Sequence, residues 1–162
     1  MCRGAAEPEV AQAIDPRVLI DAIVQRDFER VVVLKGVAEV SPTPDTLVNI
    51  PTRFTTDAPP SYDIPLTLLG QAVTIRATAR SWTWHFGDGE TTSTTATGTR
   101  GRVEHTYRRP AALGAYVAIQ WSGTYRIGAG PSTPITGTAT TVGDPTPLAV
   151  KEARAQLVDS SR

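Results

Sequence analysis

The chain has 162 residues, with 16 basic side chains against 16 acidic ones and a formal net charge of zero. That length holds one domain with a core and an appendage but is a tight fit for two full domains, and balanced, dispersed charge offers no footprint for nucleic acid or an anionic membrane surface. Glycine and proline number 13 each and aromatics are only 6%, which favours short strands joined by many turns over a helical bundle.

Cys2 is the only cysteine, so an internal disulfide and a cysteine-based zinc site are both excluded. The opening MCRGAAEPEV lacks the positive end and apolar run of a secretory signal, and no stretch approaches the length of a membrane span. Residues 1–13 are small and polar and are expected to form a mobile tail. Asp15-Pro16 then opens a helix, the aspartate capping free amides and the proline suiting the first turn. Leu19, Ile20, Ile23, Val24 and Phe28 recur at helical spacing and predict one apolar face, leaving Asp21, Gln25, Arg26, Glu29 and Arg30 on the other, with an end near Arg30. VVVLKGVAEV is β-branched and cut by Gly36, which predicts one or two short strands leading to the SPTPD breaker at residues 41–45.

From Thr46 the period changes to two. In TLVNIPTRFTT, Leu47, Asn49 and Pro51 alternate with Val48, Ile50 and Thr52, and Pro51 restricts the segment to an edge or a bend. LTLLGQAVTIRATARSWTWHF carries Val73, Ile75 and Ala77, then Trp82, Trp84 and Phe86, with polar residues between them. GRVEHTYRRP places Val103, His105 and Tyr107 on one face. LGAYVAIQWSGTYRIG sets Tyr116 and Ala118 against Val117, Ile119 and Trp121. GAGPSTP is a loop, PITGTATTV another alternating run, and PLAVKEARAQLVD mixes strand and helix signals, with a closing strand favoured because TPLAV leads directly into it. This succession predicts a mainly β chain folded as a sandwich with a short N-terminal helix. The expected organisation is a tail at 1–13, the helix, short strands and Pro-rich linker at 14–45, the sandwich at 46–158, and a tail at 159–162.

If Trp82, Trp84 and Phe86 share a buried face, Thr83 and His85 point outward. Gly87-Asp88-Gly89 then suits a tight turn, because glycine tolerates positive φ and Asp88 can accept from nearby amides. Calcium binding there would need a denser series of acidic ligands. His85 and His105 could join Asp88 or Glu104 around a metal, but their imidazoles are expected on opposite faces. No nucleophile elbow or phosphate loop is present, and Gly128-Ala129-Gly130 is followed by Pro131 where a dinucleotide site needs a helix start. No catalysis, cofactor or metal is expected. Trp121, Tyr125 and Trp82 are candidates for an exposed, carbohydrate-binding aromatic surface, and packing in the core is the competing reading. Arg100, Arg102, Arg108 and Arg109 form a local basic group, read as a solvated loop.

The run Trp84-His85-Phe86-Gly87-Asp88-Gly89, then Val103-Glu104-His105-Thr106-Tyr107, then Gly114-Ala115-Tyr116-Val117, resembles the PKD (polycystic kidney disease type) domain family, which shows a W-D-F-G-D-G turn, an H-T-Y strand and a G-x-Y-x-V strand in this order. The resemblance covers roughly residues 46–158; His85 stands where the family usually has Asp, and the loop between Tyr125 and Pro134 is longer than usual. The flanking LVNIPT, LLGQAVTIRATA and EARAQLV segments resemble a group of actinobacterial exported PKD proteins. The resemblance implies an immunoglobulin-like β-sandwich, non-catalytic and usually secreted or at the cell surface, serving as a spacer or in contact with protein or carbohydrate. It gives Trp84 and Phe86 a core role, Gly87 to Gly89 the turn, and His105 and Tyr107 packing and hydrogen bonding beside it. Export is expected on that basis, with an upstream segment carrying a signal and a partner for Cys2; a cytoplasmic protein with a free thiol is the alternative.

Overall fold

A computed structural model describes Gly4 and residues 13–43, 45–95 and 102–154. The expectations for Cys2 and the first tail, for Arg100, and for the closing segment beyond residue 154 lie outside those residues. The fold is mainly β with one helix. Helix α1 spans Pro16–Val31, and ten strands follow: β1 Ala38–Ser41, β2 Asp45–Leu47, β3 Pro51–Thr56, β4 Ser61–Leu68, β5 Gln71–His85, β6 Thr91–Thr95, β7 Arg102–Thr106, β8 Ala111–Ile127, β9 Thr133–Val142 and β10 Thr146–Lys151.

Two long antiparallel strands, β5 and β8, form the spine of a seven-stranded sheet. On the far side of β5, β4 pairs with its first half and β6 with its second. On the far side of β8, β10 takes the first half and β9 the rest, and β2 adds to β10 in parallel. A second, three-stranded sheet has the order β1-β3-β7. The inner face of the large sheet is covered in two halves. The small sheet covers one half, where the Phe54 ring lies 6.3 Å from Trp84 and 5.1 Å from Phe86. Helix α1 covers the other, where Phe28 rests on Gly123 and where Ile23, Val24, Leu66, Leu68 and Ile75 line one small apolar cleft.

One strand serves both halves because its ladder skips a residue. Ala79 pairs with Trp121 and Ser81 with Gln120, so Arg80 is a β-bulge. A single extra residue reverses which side chains face inward. Val73, Ile75, Ala77 and Ala79 are therefore buried before it, and Trp82, Trp84 and Phe86 after it.

The helix begins as expected, with the Asp15 carboxylate accepting from the Arg17 amide, but its buried stripe is Ile20, Val24 and Phe28. Leu19 is exposed, and Asp21 and Gln25, expected on the solvent face, turn toward the sheet. The cause lies in β9. Its ladder with β8 is irregular between Ile135 and Ala139, which frees backbone groups near Thr136. Buried or edge backbone groups need partners, and Gln25 supplies them: its carboxamide oxygen accepts from the Thr136 amide at 2.9 Å and its nitrogen donates to the Pro134 carbonyl at 3.2 Å. The strands expected across VVVLKGVAEV shrink to β1 alone. The chain before it runs so close to neighbours that a Cβ on Gly36 would meet Thr56 Oγ1 at 2.6 Å and Ile119 Cδ1 at 2.8 Å.

The single alternating run expected over TLVNIPTRFTT is two strands in different sheets. Between them Asn49 adopts φ 65°, a left-handed value that Asn tolerates better than most residues. Its amide donates to the Tyr107 carbonyl and the Val48 amide to the Lys151 carbonyl, stitching the crossing to both sheets. The fully buried residues are Thr46, Thr52 and Phe54; Val48 packs against the core only partly buried, and Ile50 is exposed. The two buried threonine hydroxyls satisfy each other. TPLAV does form the strand β10, with Leu148 and Val150 inward.

Candidate functional site: the Gly-Asp-Gly corner

Strand β5 ends at His85, and the chain turns through Gly87 and Gly89, at φ 88° and 93°. These values are open to glycine and costly for other residues. Gly87 also lies against β8: a Cβ there would meet the Gly114 carbonyl oxygen at 2.9 Å. The turn closes with the Phe86 amide donating to the Glu90 carbonyl, and Asp88 Oδ1 accepts from the Glu90 amide at 3.0 Å.

Asp88 Oδ2 reaches His105 Nε2, on β7, at 2.7 Å. The His105 ring stacks on Phe86 with centroids 4.0 Å apart and planes within 1°, and meets the Tyr107 ring edge-on at 4.7 Å. Tyr107 Oη then donates to the Phe86 carbonyl at 2.8 Å. The turn, the end of β5 and the strand β7 are thus locked by aromatic packing and by side-chain hydrogen bonds that reach both backbone and side-chain acceptors. Desolvation pushes the Asp88 carboxyl up, but hydrogen bonds from His105 and the Glu90 amide, with the attraction of His105, more than offset it, so its pKa lies below the ordinary value. The Tyr107 phenol is raised, first by burial and then by the negative charge of Asp88.

His105 Nδ1 lies 3.6 Å from Glu90 Oε2, a proximity not foreseen from the residues. Asp88, Glu90 and His105 together offer ligand atoms within 4.8 Å of one another. The carboxylates sit at opposite nitrogens of a ring that Phe86 and Tyr107 hold in place, whereas a zinc ion needs donors about 2.0–2.2 Å from a common centre. As built, the arrangement clamps an imidazole between two carboxylates. Neither of the other residues considered with His105 joins it: Glu104 faces Arg53 at 3.6 Å, and His85 lies on the opposite face, stacked on Tyr116 at 4.4 Å. Beside the clamp is a recess of about 430 Å³ bordered by Glu90, Tyr107, Arg108, Arg109 and Leu113. Arg108 and Arg109 were readable as a basic pair; their placement beside Asp88 and Glu90 follows from the contact of Asp88 with His105, 17 residues apart in sequence.

The aromatic residues considered for an open binding surface are inside. Trp82, Trp121 and Tyr125 are 3%, 0% and 6% exposed, as the reading of core packing has it and against an exposed surface. Trp121 Nε1 donates to Thr141 Oγ1 at 2.9 Å, and Tyr125 Oη donates to Asp21 at 2.7 Å, so two of the three also hold polar partners. Burial gives their large apolar surface its favourable transfer free energy. Burial also raises the Tyr125 phenol, with the Asp21 hydrogen bond and charge acting in the same direction. Among the described residues, no helix is long and apolar enough to cross a membrane. No family model, curated protein or solved structure matches the chain.

Proposed function

We propose that this chain is a non-catalytic, PKD-like module with an immunoglobulin-like sandwich, secreted or at the cell surface, that binds a protein or carbohydrate or spaces neighbouring domains. One observation carries the reading: the three separated segments that resemble the family meet at a single corner, Asp88 on His105, Tyr107 on the Phe86 carbonyl, and Gly87 against Gly114. A corner so interlocked suits a rigid scaffold, since each polar group there is engaged in holding another element. Fold-level likeness supports a role only by analogy. The rival reading through exposed aromatics loses Trp82, Trp121 and Tyr125 to the core, and a metal-dependent enzyme around His85 and His105 would need two imidazoles that lie on opposite faces.

The test is fractionation of the native host followed by intact-mass measurement. Protein in the medium or on the surface, with Cys2 oxidised or an upstream segment processed, supports the reading. Cytoplasmic protein beginning at Met1 with a free thiol would overturn its extracellular part.

A further inference from the structure

The outward face of the large sheet carries an unusual distribution of charge. The strands β4, β5, β8 and β9 contain three arginines, Arg76, Arg80 and Arg126, and one acidic residue, Asp63, a balance of 3 − 1 = +2 on one sheet in a chain whose total is zero. All three arginines are exposed. Thr74 pairs across the strands with Arg126, and Arg76 with Thr124, which makes the two arginines diagonal neighbours about 7–8 Å apart. Arg80 follows along β5 at about 13 Å from Arg76.

Their present partners are few. Arg76 meets Asp63 at 3.5 Å, with both side chains about half exposed or more, and donates to Ser61 Oγ at 3.5 Å. Arg80 uses Nε on Ser122 Oγ at 2.6 Å, which steadies the guanidinium and leaves its outer nitrogens open. Arg126 has no ion pair or side-chain hydrogen bond among the described residues. It borders a shallow recess of about 90 Å³ with Asp63, Thr74, Arg76, Thr124 and Ser132. Folding gains little from surface ion pairs, and diagonal like charges on a sheet repel, so the fold itself gives no reason for this arrangement.

From this placement we infer that the outward face of β4, β5 and β8 binds an acidic polysaccharide, its carboxylate or sulfate groups held by Arg76, Arg126 and Arg80. This rests on the reading of the chain as a binding module and names its ligand class. Planar guanidinium groups pair bidentately with such anions. The arginines are spaced along a line, as charges are on a polymer with one anion per sugar or disaccharide, and the serine and threonine hydroxyls between them can donate to or accept from sugar hydroxyls. A nucleic acid fits less well. Duplex DNA presents a charge about every 1.7 Å, and single strands are held by exposed aromatic platforms, whereas the aromatic rings on this face, His85 and Tyr116, are stacked on each other.

The test uses the full chain and three probes: polygalacturonate, dextran sulfate and neutral dextran, by affinity electrophoresis and calorimetry at moderate and high salt. Saturable, salt-weakened binding of an acidic polymer is expected, and none of neutral dextran. The double variant Arg76→Ala/Arg126→Ala should weaken binding about tenfold or more, and Arg80→Ala about threefold. Arg53→Ala, on the other sheet, should bind like the parent, and all variants should keep its melting midpoint. Bound polymer should also shield Arg126 from phenylglyoxal, a readout that needs no variant. Failure of both acidic polymers to bind, unchanged affinity in the double variant, or equal affinity for polyglutamate, which would make this an acidic-peptide site, would each overturn the inference. Polygalacturonate length is followed in the same mixtures. Shortening would overturn the non-catalytic reading and leave the surface standing, whereas failure to bind removes the surface alone.

Discussion

The two halves of the large sheet are covered by different means. Under the small sheet, cover and covered are joined by polar bonds and aromatic contacts at once: Phe54 on Trp84 and Phe86, His105 on Phe86 and Asp88, Tyr107 on the Phe86 carbonyl. Under the helix, the contact is a three-residue apolar stripe, Ile20, Val24 and Phe28, resting where Gly123 removes a side chain, with Asp21 and Gln25 as polar latches at its margin. The first half restrains direction as well as distance, because hydrogen bonds and ring stacking are oriented. The second restrains mainly distance, because apolar burial is not directional. The helical half is accordingly expected to open first.

The largest loss should come from the sheet-covered half. Trp84 is 1% exposed, and Trp84→Ala should cost about 3–5 kcal/mol by chemical denaturation. An unchanged midpoint would refute the packing of one sheet on the other. In the helical half, Gly123→Val places atoms where Phe28 already stands, since even a Cβ would lie 2.5 Å from its ring. A loss of about 1–3 kcal/mol is expected. Hydrogen exchange should show α1 losing protection while β5 and β8 keep theirs; uniform loss would erase the distinction between the halves.

Asp88→Ala should cost about 1 kcal/mol through its lost hydrogen bonds. The folded Asp88 pKa is depressed, so its contribution is present above the unfolded value, about 3.9, and fades as pH falls through the lower folded one. A stability profile from pH 6 to pH 2 should therefore be shallower in Asp88→Ala, and equal slopes would remove Asp88 from the lock. Calcium or zinc should leave the melting curve in place, and a saturable shift that depends on Asp88 would restore a metal reading. The smallest effect is expected at His85, whose stack on Tyr116 is on the outward face. His85→Asp should change stability by no more than about 0.5 kcal/mol, as ordinary surface changes do, and a loss comparable to that at Trp84 would mean the face is not free.

The halves also differ in how far they could be read in advance. The place of His105 and Tyr107 beside the Gly-Asp-Gly turn was implied by the resemblance alone. Period-two alternation puts Trp84 and Phe86 on one face and Gly-Asp-Gly marks a turn because each depends on near neighbours in the chain. The helix's orientation does not: Gln25 faces inward because of a ladder irregularity more than a hundred residues away, and nothing in PRVLIDAIVQRDFERV reports it. Asn49 was read as one position of an alternating run, and the switch between sheets that it makes depends on carbonyls of Tyr107 and Lys151. For the same reason the aromatics were ambiguous, since alternation says which side a residue takes and not whether that side is covered. Trp121 and Tyr125 are buried by β9 and α1, elements whose arrival is a tertiary event.

The skipped position at Arg80 makes chain length itself a constraint. Were that one residue deleted, the ladder could close without a gap, with Ser81 still opposite Gln120 and Trp82 still opposite Ile119, so both tryptophans would stay inward. Insertion of a second residue there, in a bulge that does not widen, would move everything beyond it by one position: Thr83 and His85 would enter the core while both tryptophans went to solvent. At this point the register tolerates one residue fewer but not one more, and substitutions leave the count unchanged. The side chain left over by that count is the guanidinium bonded to Ser122, so the element that reconciles the two interiors also places a positive charge on the exterior.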